Sequence, residues 1–139
     1  MSYTSVQKIR FDDVDGAGIV YYPQYFKLCH AAFEDFFDDA APFSYPELID
    51  ERRQGFPTVH IDADFKAPLK YGDYVVMSLF VKKIGKASLL LHFDARRKRD
   101  GALAFTADIT TVFMDLDTQE SEPIPEELRA IFKRYLTSS

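Results

Sequence analysis

FDDVDGAGIVYYPQYF, residues 11–26, sets a carboxylate, Asp15, in a glycine-broken loop directly before an aromatic helix. Gly16 and Gly18 permit backbone conformations that other residues rarely adopt. Pro23 suits the first turn of a helix, where its missing N–H costs no hydrogen bond. Unpaired N–H groups at a helix start polarise a carbonyl oxygen, and a carboxylate beside them attacks the carbonyl carbon or activates water. The stretch therefore predicts a site for acyl chemistry.

The helix that follows this loop is predicted to begin near Tyr22 and to be unusually apolar. Apolar residues recur along it at helical spacing. They are Tyr22, Tyr25, Phe26, Cys29, Phe33, Phe36 and Phe37. Leu28, Ala31 and Ala32 widen this stripe, so we expect the helix to be enclosed by other structure. Cys29 lies within the stripe and is interpreted as a small core residue rather than a nucleophile.

Beyond the helix, the pattern changes to the two-residue period of β-strands. Strands are predicted over residues 3–13, 59–67, 74–84, 87–97 and 102–115, with a short helix over residues 46–53 and a terminal helix from Pro125. Gly85-Lys86 and Asp100-Gly101 predict tight turns between consecutive strands. The order indicates an α+β fold in which an antiparallel five-stranded sheet curls around the long central helix.

The pattern Asp-x-Asp-x-Ala-Gly-Ile-Val-x-Tyr-Pro-x-Tyr, from Asp13 to Tyr25, resembles the signature of 4-hydroxybenzoyl-CoA thioesterase-like proteins of the hotdog superfamily. The resemblance implies a hotdog fold and an acyl-CoA thioesterase. Its essential carboxylate is then Asp15, and the backbone N–H near Tyr22 points at the thioester carbonyl. Related acyl-CoA thioesterases often carry His where this chain has Pro23. That difference favours an aromatic acyl group of the benzoyl or hydroxybenzoyl type, with a short or branched aliphatic group as the alternative.

The reaction needs little beyond these groups, because a thiolate leaves without strong protonation. Asp15 acts either as a nucleophile, giving a mixed anhydride, or as a general base toward water. Asp12 and Asp13 are weaker candidates that act on Asp15 through like charge or contribute to a metal site. Three carboxylates without a nearby histidine make a poor transition-metal site, so we expect no metal. No further cofactor is expected, since coenzyme A is part of the substrate.

Charge is unevenly distributed along the chain. The net charge of −5 argues against nucleic acid as the main partner. Residues 82–99 nevertheless carry seven Lys or Arg residues against Asp94 alone. This segment is either a solvated hairpin flank or a landing site for the phosphates of coenzyme A, and the resemblance favours the landing site. It implies coenzyme A contacts at Lys83, Lys86 and Ser88, and substrate contacts at Gly18, Tyr25, Val59 and His60.

Composition predicts one domain over residues 1–139, without a metal or disulfide to stabilise it. The chain lacks a hydrophobic export segment and an apolar run of about 20 residues, and Cys29 is its only cysteine. We therefore expect a cytoplasmic protein that does not bind membranes.

A five-stranded sheet leaves edges unpaired, and the resemblance implies a homotetramer, a dimer of dimers, with active sites between chains.

Two other functions are compatible with the same fold. A hotdog hydratase or dehydratase adds or removes water at an acyl-thioester double bond, using a histidine with an acidic partner. No histidine is near Asp15 in the sequence, and His60, on the polar side of its strand, is more typical of a satisfied or interfacial side chain. A non-catalytic acyl-CoA-binding subunit is the second alternative, in which Asp15 is only a turn residue.

Overall fold

The computed structural model describes residues 1–137 and contains one long helix, α1 (Gln24–Ala40), packed against a five-stranded antiparallel sheet. The sheet has the order β1-β4-β5-β6-β3. Its strands are β1 (Tyr3–Lys8), β3 (Thr58–Phe65), β4 (Tyr74–Ile84), β5 (Ser88–Arg97) and β6 (Leu103–Val112). Two short strands, β2 (Gln54–Gly55) and β7 (Met114–Asp115), pair separately, and α2 (Glu126–Arg134) ends the described chain. Residues 138–139 of the predicted domain lie outside the described residues.

The predicted central helix is confirmed, and its apolar stripe faces the core, except that Tyr22 lies before the helix and is 61% exposed. Tyr25, Leu28, Cys29, Ala32, Phe33, Phe36 and Phe37 are all buried. The helix begins at Gln24, directly after Pro23, whose φ of −65° is already helical. The N–H of Gln24 donates to the carbonyl of Tyr21 at 2.9 Å, so a turn leads into the helix from the residues predicted to start it.

The sheet alternates between a core face and an outer face. Val75, Met77, Leu79 and Val81 of β4 are buried, as are Leu89, Leu91, Phe93 and Ala95 of β5. The outer face carries a polar network around His92, whose ring nitrogens lie 2.7 Å from Asp108 Oδ1 and 2.9 Å from Asp94 Oδ1. The turn after Ile84 and the hairpin at Gly101 join the predicted strands, and Gly101 has a φ of +71°.

Three element boundaries differ from the sequence expectations. The first strand ends at Lys8 rather than residue 13, because Phe11–Asp13 form a 3-10 turn closed by the Asp13 carboxylate. The last strand divides into β6 and β7, because β7 leaves the large sheet to pair with β2. The short second helix is a single π-helical turn, Glu47–Glu51. None of these changes moves the central helix or the order of the five main strands.

Strand β3 was expected to be half-buried and is instead exposed along most of its length. It is an edge strand, paired only with β6. Val59 is 59% exposed and Phe65 is 51% exposed, although the register sets Phe65 opposite the buried Phe105. An eight-residue edge with apolar side chains and unpaired backbone groups is a surface typical of strand pairing with another chain.

Candidate functional site

Asp15 lies in a tight loop, residues 14–20, closed by a short antiparallel ribbon. Val14 and Val20 form a bridge pair. On one side of this pair the N–H of Asp15 donates to the carbonyl of Ile19 at 3.0 Å. On the other side the N–H of Tyr21 donates to the carbonyl of Asp13, also at 3.0 Å. The ribbon therefore joins the backbone of Asp15 to the backbone leading into α1.

The side chain of Asp15 is exposed and only partly hydrogen-bonded. Its Oδ1 accepts a hydrogen bond from the N–H of Ala17 at 2.8 Å, forming an Asx turn. Its Oδ2 has no hydrogen-bond partner among residues 1–137. Gly18 has a φ of +81°, a conformation that favours glycine, and its N–H donates to the Asp15 carbonyl at 3.0 Å. The loop thus fixes one oxygen of Asp15 and leaves the other exposed to solvent or a ligand.

The start of α1 provides one backbone donor next to this loop. The N–H groups of Tyr21, Gln24 and Tyr25 all donate within the protein, and Pro23 has none. The N–H of Tyr22 has no acceptor in the described part of the chain. An unsatisfied donor at a helix start is suited to a carbonyl oxygen or oxyanion.

Tyr22 also lines an open cleft of about 340 Å³. We call this the aromatic cleft; its lining residues are Ile19, Val20, Tyr22, Tyr25, Phe65, Lys66, Ala67 and Pro68. The Tyr25 ring is buried between Phe65 and Phe105, with centroids 5.2 and 4.9 Å away. Burial raises the pKa of Tyr25, and a hydrogen bond with the Leu69 backbone opposes this shift. The cleft therefore presents aromatic walls next to the unsatisfied N–H.

The other predicted site residues lie at the opposite end of the sheet. Ile19 bridges Lys70, just before β4 begins, whereas Lys83 lies near the end of that strand. At about 3.3 Å per residue, Lys83 is roughly 30 Å from the start of β4. The registers set Lys83 opposite Leu90 and His60 opposite Thr110. The same end of the sheet therefore carries Lys83, Lys86, Ser88, Val59 and His60. Within one chain these residues do not come close to Asp15.

The basic segment of residues 82–99 consequently does not form one patch. Lys82 pairs with Asp108 at 3.0 Å on the outer face. Arg97 and Arg99, at the other end of β5, pair with Asp100 at 2.8 Å and with Asp73 at 3.0 Å. Lys83 and Lys86 are exposed and have no ion pair within residues 1–137. In the described part of the chain, the exposed cations of this segment without an ion pair are thus divided between the β4–β5 turn, with Lys83 and Lys86, and the far end of β5, with Arg96 and Lys98.

Two residues near the Asp15 loop have structural roles that their sequence positions did not indicate. Phe65 lies within the strand predicted over residues 59–67, and it contributes an exposed ring to the aromatic cleft. Asp13 was a weak candidate, and its carboxylate is buried against the backbone N–H of Arg10, 2.8 Å from Oδ2. A signal for Asp13 was present, because a carboxylate three residues after Arg10 has the spacing of a capping box.

Two of the histidines and the one cysteine lie outside the Asp15 loop. His60 contacts Asp62 at 3.2 Å on the exposed edge strand, and His30 pairs with Glu34 at 3.0 Å on α1. Burial raises the pKa of the Cys29 thiol, which suits a core residue. Among residues 1–137, no three His, Cys, Asp or Glu side chains form a group able to hold a metal ion. Neither helix within these residues is long and apolar enough to cross a membrane.

A five-stranded antiparallel sheet curled around one apolar helix, with a carboxylate loop at the helix start, defines a protein of the hotdog class. The family model described as "Thioesterase-like superfamily" matches residues 9–132. The chain belongs to this superfamily.

Named relatives agree with this assignment. A 1,4-dihydroxy-2-naphthoyl-CoA hydrolase from Nostoc punctiforme is 27% identical over 128 residues, which cover 92% of this chain and 84% of the relative. A gentisyl-coenzyme A thioesterase of known structure is 29% identical with a TM-score of 0.83, covering 91% of this chain and 99% of the other. The Dynemicin thioesterase, whose structures concern polyene binding, is 26% identical with a TM-score of 0.88, and the match covers both chains fully.

Proposed function

We propose that this protein hydrolyses an acyl-CoA thioester to a free acid and coenzyme A, using Asp15 and the Tyr22 N–H. One observation carries the proposal: an exposed carboxylate oxygen and an unsatisfied backbone N–H flank a single loop at the start of α1. In this assignment the Tyr22 N–H donates to the thioester carbonyl oxygen and stabilises the negative charge that develops there. Asp15 then supplies the second group that the chemistry requires.

Two reaction courses fit these groups. In the first, an Asp15 oxygen attacks the acyl carbon, the C–S bond breaks, coenzyme A leaves as a thiolate, and water hydrolyses the resulting anhydride. In the second, Asp15 takes a proton from water, and the hydroxide attacks the same carbon before the thiolate leaves. Both courses give the same products and use the same donor, so the choice between them stays open.

The aromatic cleft favours a flat aromatic acyl group. Phe65, one of its two exposed rings, packs against Tyr25 and lies 6.4 Å from the other, Tyr22, so an aryl ring bound there is expected to make aromatic contacts. A volume of about 340 Å³ is within the range of small-molecule sites. Relatives named for naphthoyl and gentisyl thioesters support the same class of substrate. A benzoyl or hydroxybenzoyl thioester is the specific expectation.

We further propose that the complete site forms between two chains joined along β3. Pairing two β3 strands antiparallel about a two-fold axis brings the Phe65 end of one chain beside the Thr58 end of its partner. Asp15 of one chain then approaches Val59, His60 and the Lys83 turn of the other. Two such dimers give the predicted homotetramer.

The charges along β3 fit this pairing. His60 and Asp62 lie on the outer face of the strand, as does Asp64. An antiparallel register centred on Ile61 sets each His60 opposite Asp62 of the partner, and a polar pair of this kind across two strands is favourable. The reducing cytoplasm is the proposed compartment, since the one cysteine is buried and unpaired.

A substrate panel with the purified protein tests this function. Release of free thiol from benzoyl-CoA, hydroxybenzoyl-CoA, butyryl-CoA and crotonyl-CoA is followed with a thiol reagent. Thiol release that is fastest with the aromatic thioesters is the expected result. Hydration of crotonyl-CoA without thiol release indicates the hydratase instead, and coenzyme A binding without either reaction indicates a non-catalytic subunit.

A further inference from the structure

Asp13 is the one charged residue that is buried among residues 1–137, with 5% of its surface exposed. Its neighbour Asp12 occupies the same 3-10 turn and is exposed. Burying a carboxylate is unfavourable unless its oxygens are hydrogen-bonded or paired with a cation. The partners of Asp13 therefore explain its burial.

Four contacts hold Asp13 and lead to three parts of the site; in one of them its N–H donates to the carbonyl of Arg10 at 3.0 Å. Its Oδ2 accepts a hydrogen bond from the N–H of Arg10, at the entry to the turn, at 2.8 Å. Its Oδ1 lies 3.6 Å from the Nζ of Lys27, on α1. Its backbone carbonyl accepts a hydrogen bond from the N–H of Tyr21, at the exit of the loop, at 3.0 Å. One residue thus connects the end of β1, the Asp15 loop and the central helix.

These contacts determine where Asp15 and Tyr22 lie. The bond from the Tyr21 N–H fixes the backbone one residue before Tyr22, and it leaves the Tyr22 N–H as the donor without an acceptor. The same ribbon continues through Val14 to the backbone of Asp15. Loss of the Asp13 contacts is therefore expected to loosen the ribbon that places the Asp15 carboxylate next to the Tyr22 N–H.

We infer that Asp13 is a positioning residue for thioester hydrolysis: its buried carboxylate holds Asp15 and the Tyr22 N–H in register. This inference rests on the proposed function. The hydrogen bond to Arg10 is its main anchor, because losing it leaves a backbone N–H unsatisfied. The Lys27 contact is weaker, because Lys27 is 64% exposed and its nitrogen is 3.6 Å away.

Four variants test the inference: Asp13→Ala, Asp13→Asn, Lys27→Met and the matched control Asp12→Ala. A misplacement of about 1 Å in a catalytic constellation lowers turnover by about 10²-fold, so a loss approaching that size is expected in kcat for Asp13→Ala. KM is expected to change little, since Asp13 does not touch substrate. Asn retains an oxygen that accepts from Arg10, so Asp13→Asn recovers most of the activity. Lys27→Met and Asp12→Ala stay near wild type.

Amide hydrogen exchange gives a second measurement that does not depend on catalysis. The amides of Asp15 and Tyr21 are expected to exchange faster in Asp13→Ala than in wild type or Asp12→Ala, while the amides of β5 stay protected. Unchanged exchange at both positions overturns the inference, whatever the enzyme activity. It is also overturned if Asp13→Ala keeps wild-type kcat while Asp15→Asn loses turnover. If Asp15→Asn itself stays fully active, the proposed function fails, and the exchange result still decides whether Asp13 orders the loop.

Discussion

The ring of Phe65 meets the ring of Tyr25 edge to face, with centroids 5.2 Å apart and planes inclined by 78°. Tyr25 is buried, whereas Phe65 is about half exposed at the end of the edge strand. Phe105 lies against both rings, at 5.3 Å from Phe65 and 4.9 Å from Tyr25. Phe65 therefore packs on two other rings and remains half exposed in the aromatic cleft.

Replacing Phe65 with Leu is expected to reduce kcat/KM for an aromatic thioester more than for butyryl-CoA. An aromatic pair contributes about 0.5–1.5 kcal/mol beyond area burial, which corresponds to a selective loss of roughly 2- to 13-fold. Phe11→Leu is the matched control, because Phe11 is also exposed and edge to face with Tyr71, at 5.8 Å, but does not line the cleft. Equal losses with both substrates would remove Phe65 from the acyl pocket.

Replacing Asp15 with Asn is expected to lower turnover by about 10²–10⁴-fold, the range for losing a positioned acid–base group or more. Asn keeps an oxygen that accepts from the Ala17 N–H, so the Asx turn and the melting temperature are expected to persist. Steady-state thiol release and circular dichroism measure the two effects. Asp12→Asn removes an equal charge from the adjacent turn and serves as the control. Near-wild-type hydrolysis by folded Asp15→Asn contradicts the catalytic assignment.

The central helix and the five antiparallel strands were predictable because each depends on a local period in the sequence. The apolar residues from Tyr25 to Phe37 have the spacing of one face of a helix, and the hairpin at Asp100-Gly101 makes two strands neighbours. Burial of β3 was not predictable in the same way. Alternation around Ile61 indicates a strand with one apolar face, but it does not reveal whether that face meets its own core or another chain.

The site was predictable only where its residues are consecutive. Asp15, Gly18 and Tyr22 share one loop and one helix start, so short-range spacing brings them together. Lys83 and His60 depend on sheet register, which sets them far from Asp15 within one chain. Asp13 is only a weak candidate from the sequence because a carboxylate in a turn is usually solvated, whereas in the structure it is buried and accepts a hydrogen bond from the Arg10 N–H.

Replacing Lys83 and Lys86 together with Ala is expected to raise KM for the acyl-CoA more than it lowers kcat. Contacts to the nucleotide are distant from the reacting carbonyl and bind ground and transition states alike. Added salt is expected to reproduce the effect in wild type. A control that removes Lys98 and Lys133, two exposed lysines elsewhere, changes net charge equally. Unchanged KM at low ionic strength indicates a solvated turn instead.

Acid is expected to weaken the outer-face network through Asp108. Burial opposes ionisation of this carboxyl, but hydrogen bonds with His92 and Lys82 outweigh it and lower the Asp108 pKa. A lowered folded-state pKa stabilises the protein above the unfolded value of about 3.9, and the contribution is lost as pH falls through the folded pKa. Asp108→Asn is therefore expected to lower the melting temperature at neutral pH, with the difference shrinking below about pH 4. A difference independent of pH contradicts this explanation.

The proposed site combines the loop end of one chain with the β3 end of its partner. Mixtures of two inactive variants, each damaged at one end, are therefore expected to regain activity. Asp15→Asn damages the loop end, and Val59→Asp damages the β3 end, where Val59 is exposed. In a mixed dimer, one of the two sites carries both defects and the other carries neither. Random exchange at equal concentrations makes about half of the dimers mixed, so about a quarter of wild-type activity is expected to return.

A pair of variants at one end provides the control for this mixing experiment. A mixture of Asp15→Asn with Asp15→Ala is expected to regain no activity, because every site then lacks Asp15. Light scattering on the same samples reports the mass, which is about 64 kDa for four chains of 16.0 kDa each. A fully active species at the mass of one chain overturns both the assembly and the shared site. Active dimers whose mixtures never regain activity preserve the assembly but confine each site to one chain, and Lys83 and His60 then leave the proposed site.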